Sequence, residues 1–158
     1  KGHGRVVNMG SISGRFASPM IGPYAASKFA LEALTDSLRR EVADQGIMVS
    51  IIEPGPVATP IWEKARRIVA AGETPEARSL YARLASAMER YTARSEQRAI
   101  PVEEVAQTVL HALTADRPRT RYLVGRNVWK KSLAVRLLPD RLLDRLVAKS
   151  LAKWAEPE

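Results

Sequence analysis

Two short motifs decide the interpretation of this sequence: Gly10-Ser11-Ile12-Ser13-Gly14 and, ten residues later, Tyr24-Ala25-Ala26-Ser27-Lys28. Tyr24 and Lys28 are four residues apart, so on a helix their side chains share one face and lie one turn apart. A free tyrosine has a pKa of about 10 and is a poor acid or base at neutral pH. A lysine ammonium held beside a tyrosine favours the ionised phenol. The spacing therefore predicts a phenol that can exchange a proton, as general acid–base catalysis requires.

The Gly/Ser motif precedes Tyr24 and follows the apolar segment Arg5-Val6-Val7-Asn8-Met9, which reads as a buried strand. A Ser11 hydroxyl in such a turn could donate a hydrogen bond to the same substrate oxygen that meets the tyrosine. Ser13 is the competing serine. The motif is not Gly-x-Ser-x-Gly, because Ile12 occupies the middle position, so a hydrolase nucleophile elbow is not predicted.

The segment from Tyr24 to about Ala43 has no glycine or proline, and its apolar residues recur at helical spacing. Gly46 is the predicted C-terminal cap of this helix. The β-branched segment Met48–Glu53 is the next strand. Strand, helix and strand in this order predict a parallel, right-handed βαβ unit. Ligands of such sheets bind at the carboxyl ends of the strands, the edge where Ser11 and Pro54-Gly55 are expected.

Further elements follow from apolar periodicity and from the positions of proline and glycine. We predict helices over about Pro60–Ala71, Pro75–Ser95 and Pro101–Thr114, a short strand over Thr120–Val124, and two helices across residues 129–154 separated at Pro139.

These motifs, in this order and spacing, resemble the second half of a short-chain dehydrogenase/reductase. The resemblance is close over residues 4–60 and looser to about Gly125. The residue sequences of the Tyr24 motif and of Pro54-Gly55-Pro56-Val57 are most similar to those of the retinol and 17β-hydroxysteroid dehydrogenase branch. It implies an α/β fold, a Rossmann-like doubly wound parallel sheet, present as its C-terminal half, with a helical lid and C-terminal helices.

The resemblance also implies a function: hydride transfer between NAD or NADP and a hydrophobic alcohol or ketone. Tyr24 would be the general acid/base, Lys28 would bind the nicotinamide ribose, and Ser11 would hold the substrate oxygen. The cofactor-binding set is completed by Pro54, Gly55 and Val57 along the nicotinamide and by Thr59 near the cofactor phosphates.

The family's Gly-rich dinucleotide turn has no counterpart in the sequence. We therefore expect residues 1–125 to be the C-terminal half of the oxidoreductase domain of a longer enzyme, with a lid at about 60–100, and residues 126–158 to be basic amphipathic helices. A homo-oligomer is expected, with the outer face of the Tyr24 helix contributing to the interface. The alternative is a non-catalytic fragment or interaction module that lacks the dinucleotide-binding half.

Composition narrows the possible partners. The 158 residues contain no cysteine and carry a net charge of +8, so disulfides and thiolate metal sites are excluded. No metal-ligand spacing and no nucleic-acid motif appears, and we expect neither partner. A cytoplasmic location is expected. The basic amphipathic C-terminal helices allow two interpretations: they pack within the protein, or they make peripheral contact with a membrane.

Overall fold

The computed structural model describes residues 3–64, 67 and 75–155. The elements are three strands, each followed by one or more helices. In chain order they are β1 (Gly4–Met9), α1 (Gly22–Glu41), β2 (Ile47–Pro54), α2 (Pro75–Gln97), α3 (Val102–Thr114), β3 (Arg121–Val124), α4 (Val128–Leu137) and α5 (Asp140–Ala155), with a one-turn 3₁₀ helix at Ile12–Gly14 between β1 and α1.

The three strands form one parallel sheet in the order β1-β2-β3. Val6 lies opposite Val49 in the first pair, and Ile52 lies opposite Tyr122 in the second. The predicted βαβ unit is therefore confirmed, with α1 as its crossover helix. β2 is the central strand, and it is buried from Val49 to Pro54, because a parallel sheet is covered by helices on both faces.

Different helices cover the two faces of the sheet. Ile52 and Tyr122 point to one face, where they form the main apolar cluster with Val105 and Ala112 of α3. Side chains alternate along a strand, so Glu53 points to the other face, on the side of α1. The molecule has the α/β, doubly wound parallel architecture expected from the sequence.

The prediction that Gly46 caps the first helix is wrong. α1 ends at Glu41, and the Val42 amide caps it by donating to the Leu38 carbonyl over 3.1 Å. Residues 42–46 then form a turn. Gly46 has a φ of 68° and is the last residue before β2, so its left-handed backbone leads the chain into the strand and does not cap the helix.

The predicted helix over Pro60–Ala71 lies partly outside the described residues, and within them residues 61–64 and 67 are helical. Across the described ranges, no helix is long and apolar enough to cross a membrane.

Candidate active site

The carboxyl ends of β1 and β2 lie side by side at one edge of the sheet. Beyond the last residue of β1, the Gly10 amide donates to the Ile52 carbonyl over 2.8 Å. The Gly55 amide likewise donates to the Val124 carbonyl at the end of β3, also over 2.8 Å. The two segments predicted to be functional, the Ser11 turn and the Pro54-Gly55 turn, are therefore both fixed to the ends of strands at the same edge.

The Ser11 turn is a single 3₁₀ turn closed by its own serine. Ser11 has an extended backbone, and its Oγ accepts a hydrogen bond of 3.1 Å from the Ser13 amide. A hydroxyl that accepts in this way keeps its own O–H free to donate. Ser11 thus has a fixed position and an available donor, whereas the Ser13 side chain has no hydrogen-bond partner among the described residues.

Gly14 sets the distance between this turn and helix α1. A Cβ at Gly14 would lie 2.9 Å from the Lys28 carbonyl oxygen and 3.1 Å from Glu32 Cγ. The first of these contacts is with helix backbone, which cannot move aside as a side chain can. Glycine therefore lets the turn pack directly on the helical turn that carries Lys28.

Tyr24 and Lys28 lie in the first turns of α1. This helix begins at Gly22 and has Pro23 in its first turn, where proline is favourable. The Lys28 Nζ lies 5.8 Å from the centre of the Tyr24 ring and donates to the Met9 carbonyl over 2.9 Å. The ammonium is thereby held between the end of β1 and the tyrosine. Tyr24 is 43% exposed, and its hydroxyl has no hydrogen-bond partner in the described part of the chain.

Val57 follows the Pro54-Gly55 turn and forms a parallel bridge with Ile100. The Ala58 amide donates to the Ile100 carbonyl over 2.9 Å, and the Val57 carbonyl accepts from Trp62 Nε1 over 2.8 Å. The Val57 amide itself donates to no described residue. Thr59 lies two residues further on, partly exposed.

A buried carboxylate that the sequence analysis missed lies next to this turn. Glu53, the residue before Pro54, is fully buried. It forms an ion pair with Arg15, whose Nη2 donates to Oε1 over 2.9 Å, and Arg121 Nε lies 3.6 Å from the same oxygen. An acidic residue in a mostly apolar central strand needs such partners. The presence of Glu53 in this strand is therefore a sequence signal for a buried ion pair.

The same arginines link Glu53 to the two helices on this face. Arg121 Nη2 lies 2.7 Å from Asp36 of α1, and its Nε lies 3.3 Å from Glu32. Arg15 Nη1 donates to Ser132 Oγ of α4 over 3.1 Å. We call Arg15, Glu32, Asp36, Glu53 and Arg121 the ionic cluster.

The ionic cluster shifts the pKa values of its carboxyl groups in opposite directions. Burial raises the pKa of Glu53 and also that of Glu32, although the arginines oppose the rise. The hydrogen bond from Arg121 lowers the pKa of Asp36, which is less buried. In the described ranges, no group of three His, Cys, Asp or Glu side chains lies close enough to hold a metal ion.

Comparison with known proteins gives consistent results. A family model described as short chain dehydrogenase matches residues 1–69. The chain is 37% identical over 156 residues to an NADPH-dependent 3-dehydrocapnine reductase from Ornithobacterium rhinotracheale, covering 99% of this chain and 54% of the relative. It is 37% identical over 164 residues to human retinol dehydrogenase 5, covering 97% and 50%.

Among solved structures, a short-chain dehydrogenase from Streptomyces avermitilis superposes with a TM-score of 0.65 and 26% identity, covering 97% of this chain and 50% of that one. The chain spans about half the length of the curated relatives it matches. These relatives are oxidoreductases by name, and they give no support to a non-catalytic interaction module.

Replacing Arg15 with glutamine tests the ionic cluster. The variant leaves the Glu53 carboxylate buried with only the more distant Arg121, and we expect a loss of about 3 kcal/mol in the free energy of unfolding at neutral pH. Loss of Arg15 also raises the pKa of Glu53 further above its ordinary 4.5. Because the folded state then binds a proton before the unfolded state does, the variant should regain stability as the pH falls from about 8 to about 5.

Urea unfolding at both pH values measures this effect. Arg40→Gln is the control, since Arg40 is 69% exposed and its pair with Asp36 spans 3.6 Å; it should cost less than about 1 kcal/mol at either pH. Equal losses in the two variants would contradict a structural role for the Arg15–Glu53 pair.

Proposed function

We propose that this chain, which belongs to the short-chain dehydrogenase/reductase family, carries the proton-transfer and substrate-binding part of an NAD(P)-dependent oxidoreductase. The reaction interconverts an alcohol and a carbonyl compound. The observation that carries the proposal is the placement of Lys28, whose ammonium joins the end of β1 to the face of Tyr24. In that position the ammonium places a positive charge beside the phenol, at a strand end where ligands of parallel sheets bind.

Tyr24 is the group that gives or takes the proton. Its hydroxyl is exposed and has no partner in the described part of the chain, so a substrate oxygen can bond to it. As a carbonyl is reduced, negative charge develops on that oxygen, and the phenol donates its proton there. The Ser11 O–H donates a second hydrogen bond to the same oxygen, which stabilises the developing charge. In the reverse direction the tyrosinate removes the alcohol proton.

The residues at the strand ends fit a nicotinamide cofactor. The Val57 amide is an unused backbone donor next to the Pro54-Gly55 turn, as a carboxamide oxygen would require, and Lys28 offers further N–H groups to ribose hydroxyls. Thr59 is assigned to the phosphates. When bound, NAD or NADP accepts or supplies the hydride, and both relatives named above catalyse redox reactions by name.

We also propose a hydrophobic substrate, the division of the chain that the sequence predicts, and a homo-oligomeric assembly. We assign residues 1–125 to the C-terminal half of the Rossmann-like domain, with the lid at about 60–100, and residues 126–158 to the basic C-terminal helices. α2, which forms most of the described part of the lid, packs on α5. The outer side of α1 exposes Phe29 (44%) and Leu34 (66%), which supports a homo-oligomeric assembly through that helix.

Tyr24→Phe tests the proton-transfer role in the protein that carries this chain. The phenylalanine ring preserves the packing but has no proton to donate, so we expect kcat to fall by at least about a hundredfold. Binding of NADPH or NADH, followed by nucleotide fluorescence, should be nearly unchanged because Lys28 and the backbone contacts remain. Turnover retained in the variant would remove Tyr24 from its role, and absence of nucleotide binding by the unmodified protein would overturn the oxidoreductase assignment.

Ser11→Ala and Ser13→Ala form a matched pair two residues apart. If Ser11 is the donor to the substrate oxygen, its alanine variant should lose roughly a hundredfold or more in kcat, whereas Ser13→Ala should stay close to the unmodified enzyme. Thermal unfolding of both variants corrects for the turn hydrogen bond that Ser11→Ala also removes, which costs about 1 kcal/mol. A larger effect on kcat from Ser13→Ala would reverse the assignment.

The C-terminal helices support a second, peripheral property. Residues 126–155 contain eight basic and two acidic residues. One side of α4 exposes Trp129 (55%), Leu133 (46%) and Leu137 (66%), spaced four residues apart. Apolar side chains in a basic helical surface are typical of segments that lie on anionic membranes, and we assign such a contact to this surface.

Cosedimentation with vesicles measures this contact. Vesicles of phosphatidylcholine with added phosphatidylserine should retain the protein, and Leu133→Gln combined with Leu137→Gln should reduce the bound fraction several-fold, in line with about 1.5–3 kcal/mol for burying a leucine. Leu110→Gln on α3 is the control, since Leu110 is also 60% exposed but lies outside the basic helices. Equal binding to neutral and anionic vesicles, or equal effects of the two changes, would refute the proposal.

A further inference from the structure

An apolar cavity of about 200 Å³ lies between the loop that follows the Ser11 turn and helices α2, α4 and α5. Its walls include Phe16 of the loop, Met88 of α2, and Leu143 and Leu151 of α5. The volume is smaller than the roughly 300–1,000 Å³ of a pocket that holds a whole ligand. It suits the apolar part of a substrate whose reacting group lies elsewhere.

The loop that borders this cavity also joins the two parts of the candidate active site. Phe16, Ser18 and Pro19 line the cavity, and they lie between Ser11 and Tyr24 in sequence. α4, which forms another wall, is fixed to the base of the same loop by the bond from Arg15 to Ser132. The cavity is therefore bordered by the loop that connects Ser11 to Tyr24.

Lys131 is the only charged residue among the thirteen described residues that line the cavity. Its Nζ donates to the Tyr91 hydroxyl of α2 over 2.7 Å and lies 5.4 Å from the centre of the Tyr91 ring. An ammonium has three N–H donors, and no described carboxylate pairs with this one. Two donors thus remain at the wall of an apolar cavity.

A lysine at a protein surface often covers an apolar wall with its stem and turns its charge to water. Lys131 is exposed as well, but its charge is held by the hydroxyl of Tyr91, a second lining residue on a different helix. The adjacent Lys130 shows the contrast, since its Nζ lies 5.6 Å from the ring of the exposed Trp129 and it does not line the cavity.

We propose that the substrate is an amphiphilic anion, whose apolar chain occupies this cavity and whose single anionic group bonds to Lys131 and Tyr91. This rests on the proposed function, and it assigns Lys131 as a specificity-determining residue. Bound NAD(P)H would supply the hydride to the carbonyl carbon, and Tyr24 donates its proton to the carbonyl oxygen and regains one from solvent, so that the product is the alcohol. The anionic group does not react.

A binding experiment tests the proposal without turnover. The probes are dansyl-undecanoic acid and its methyl ester, followed by dansyl fluorescence in the protein that carries this chain. The acid should bind more tightly than the ester, and Lys131→Met should remove about a fivefold preference, as expected for a partly exposed charge pair. Lys131→Arg should restore most of it, and Lys130→Met should leave it intact. Equal binding of acid and ester, or equal effects of Lys130→Met and Lys131→Met, would overturn the proposal.

Kinetics on matched substrates separate this proposal from the proposed function. The substrates are a medium-chain methyl ketone and the same chain ending in a carboxylate. Lys131→Met should raise the KM for the carboxylate about fivefold relative to the KM for the neutral ketone, with the ratio of the two kcat values nearly constant. Tyr24→Phe should lower kcat for both. If both ketones turn over through Tyr24 but Lys131→Met changes neither KM, the proposed function stands and the anionic substrate class is wrong.

Discussion

The structure depends on keeping one carboxylate, that of Glu53, inside the molecule. Burying an ionised carboxylate costs several kcal/mol unless it is paired, so the strand that carries Glu53 requires cationic partners. They come from two distant parts of the chain, Arg15 after the Ser11 turn and Arg121 on β3. The pairing fixes the turn, the neighbouring strand and, through Asp36 and Glu32, helix α1 to the strand end that precedes Pro54-Gly55. An apolar residue at this position would require none of these links.

The candidate active site adds a constraint of distance to this constraint of charge. Because Gly14 has no side chain, the Ser11 turn packs on the Lys28 carbonyl of α1, while the Lys28 ammonium reaches back to Met9. Ser11, Tyr24 and Lys28 are thus positioned by the same few residues of backbone. A residue inserted between Gly10 and Gly14 would break one of these contacts.

The sequence was sufficient for features encoded locally. Apolar periodicity predicted β1, α1 and β2 to within a few residues, and the four-residue spacing of Tyr24 and Lys28 predicted their shared helical face. The ionic cluster could not be predicted, because Arg15 and Glu53 are 38 residues apart and Arg121 lies far beyond both, and no local pattern selects these partners among so many charges. The role of Gly46 was predicted wrongly because a glycine with a left-handed backbone can either cap a helix or lead the chain into a strand.

Helix α4 connects the two ends of the proposed substrate site. Ser132 accepts from Arg15, so one side of the helix is tied to the ionic cluster and the Ser11 turn. Lys131, the preceding residue, points to the cavity and is tied to Tyr91 of α2. Adjacent helical positions point about 100° apart, so a single turn of α4 presents Lys131 to the cavity and Ser132 to Arg15, which holds the cavity wall and the Ser11 turn at a fixed distance.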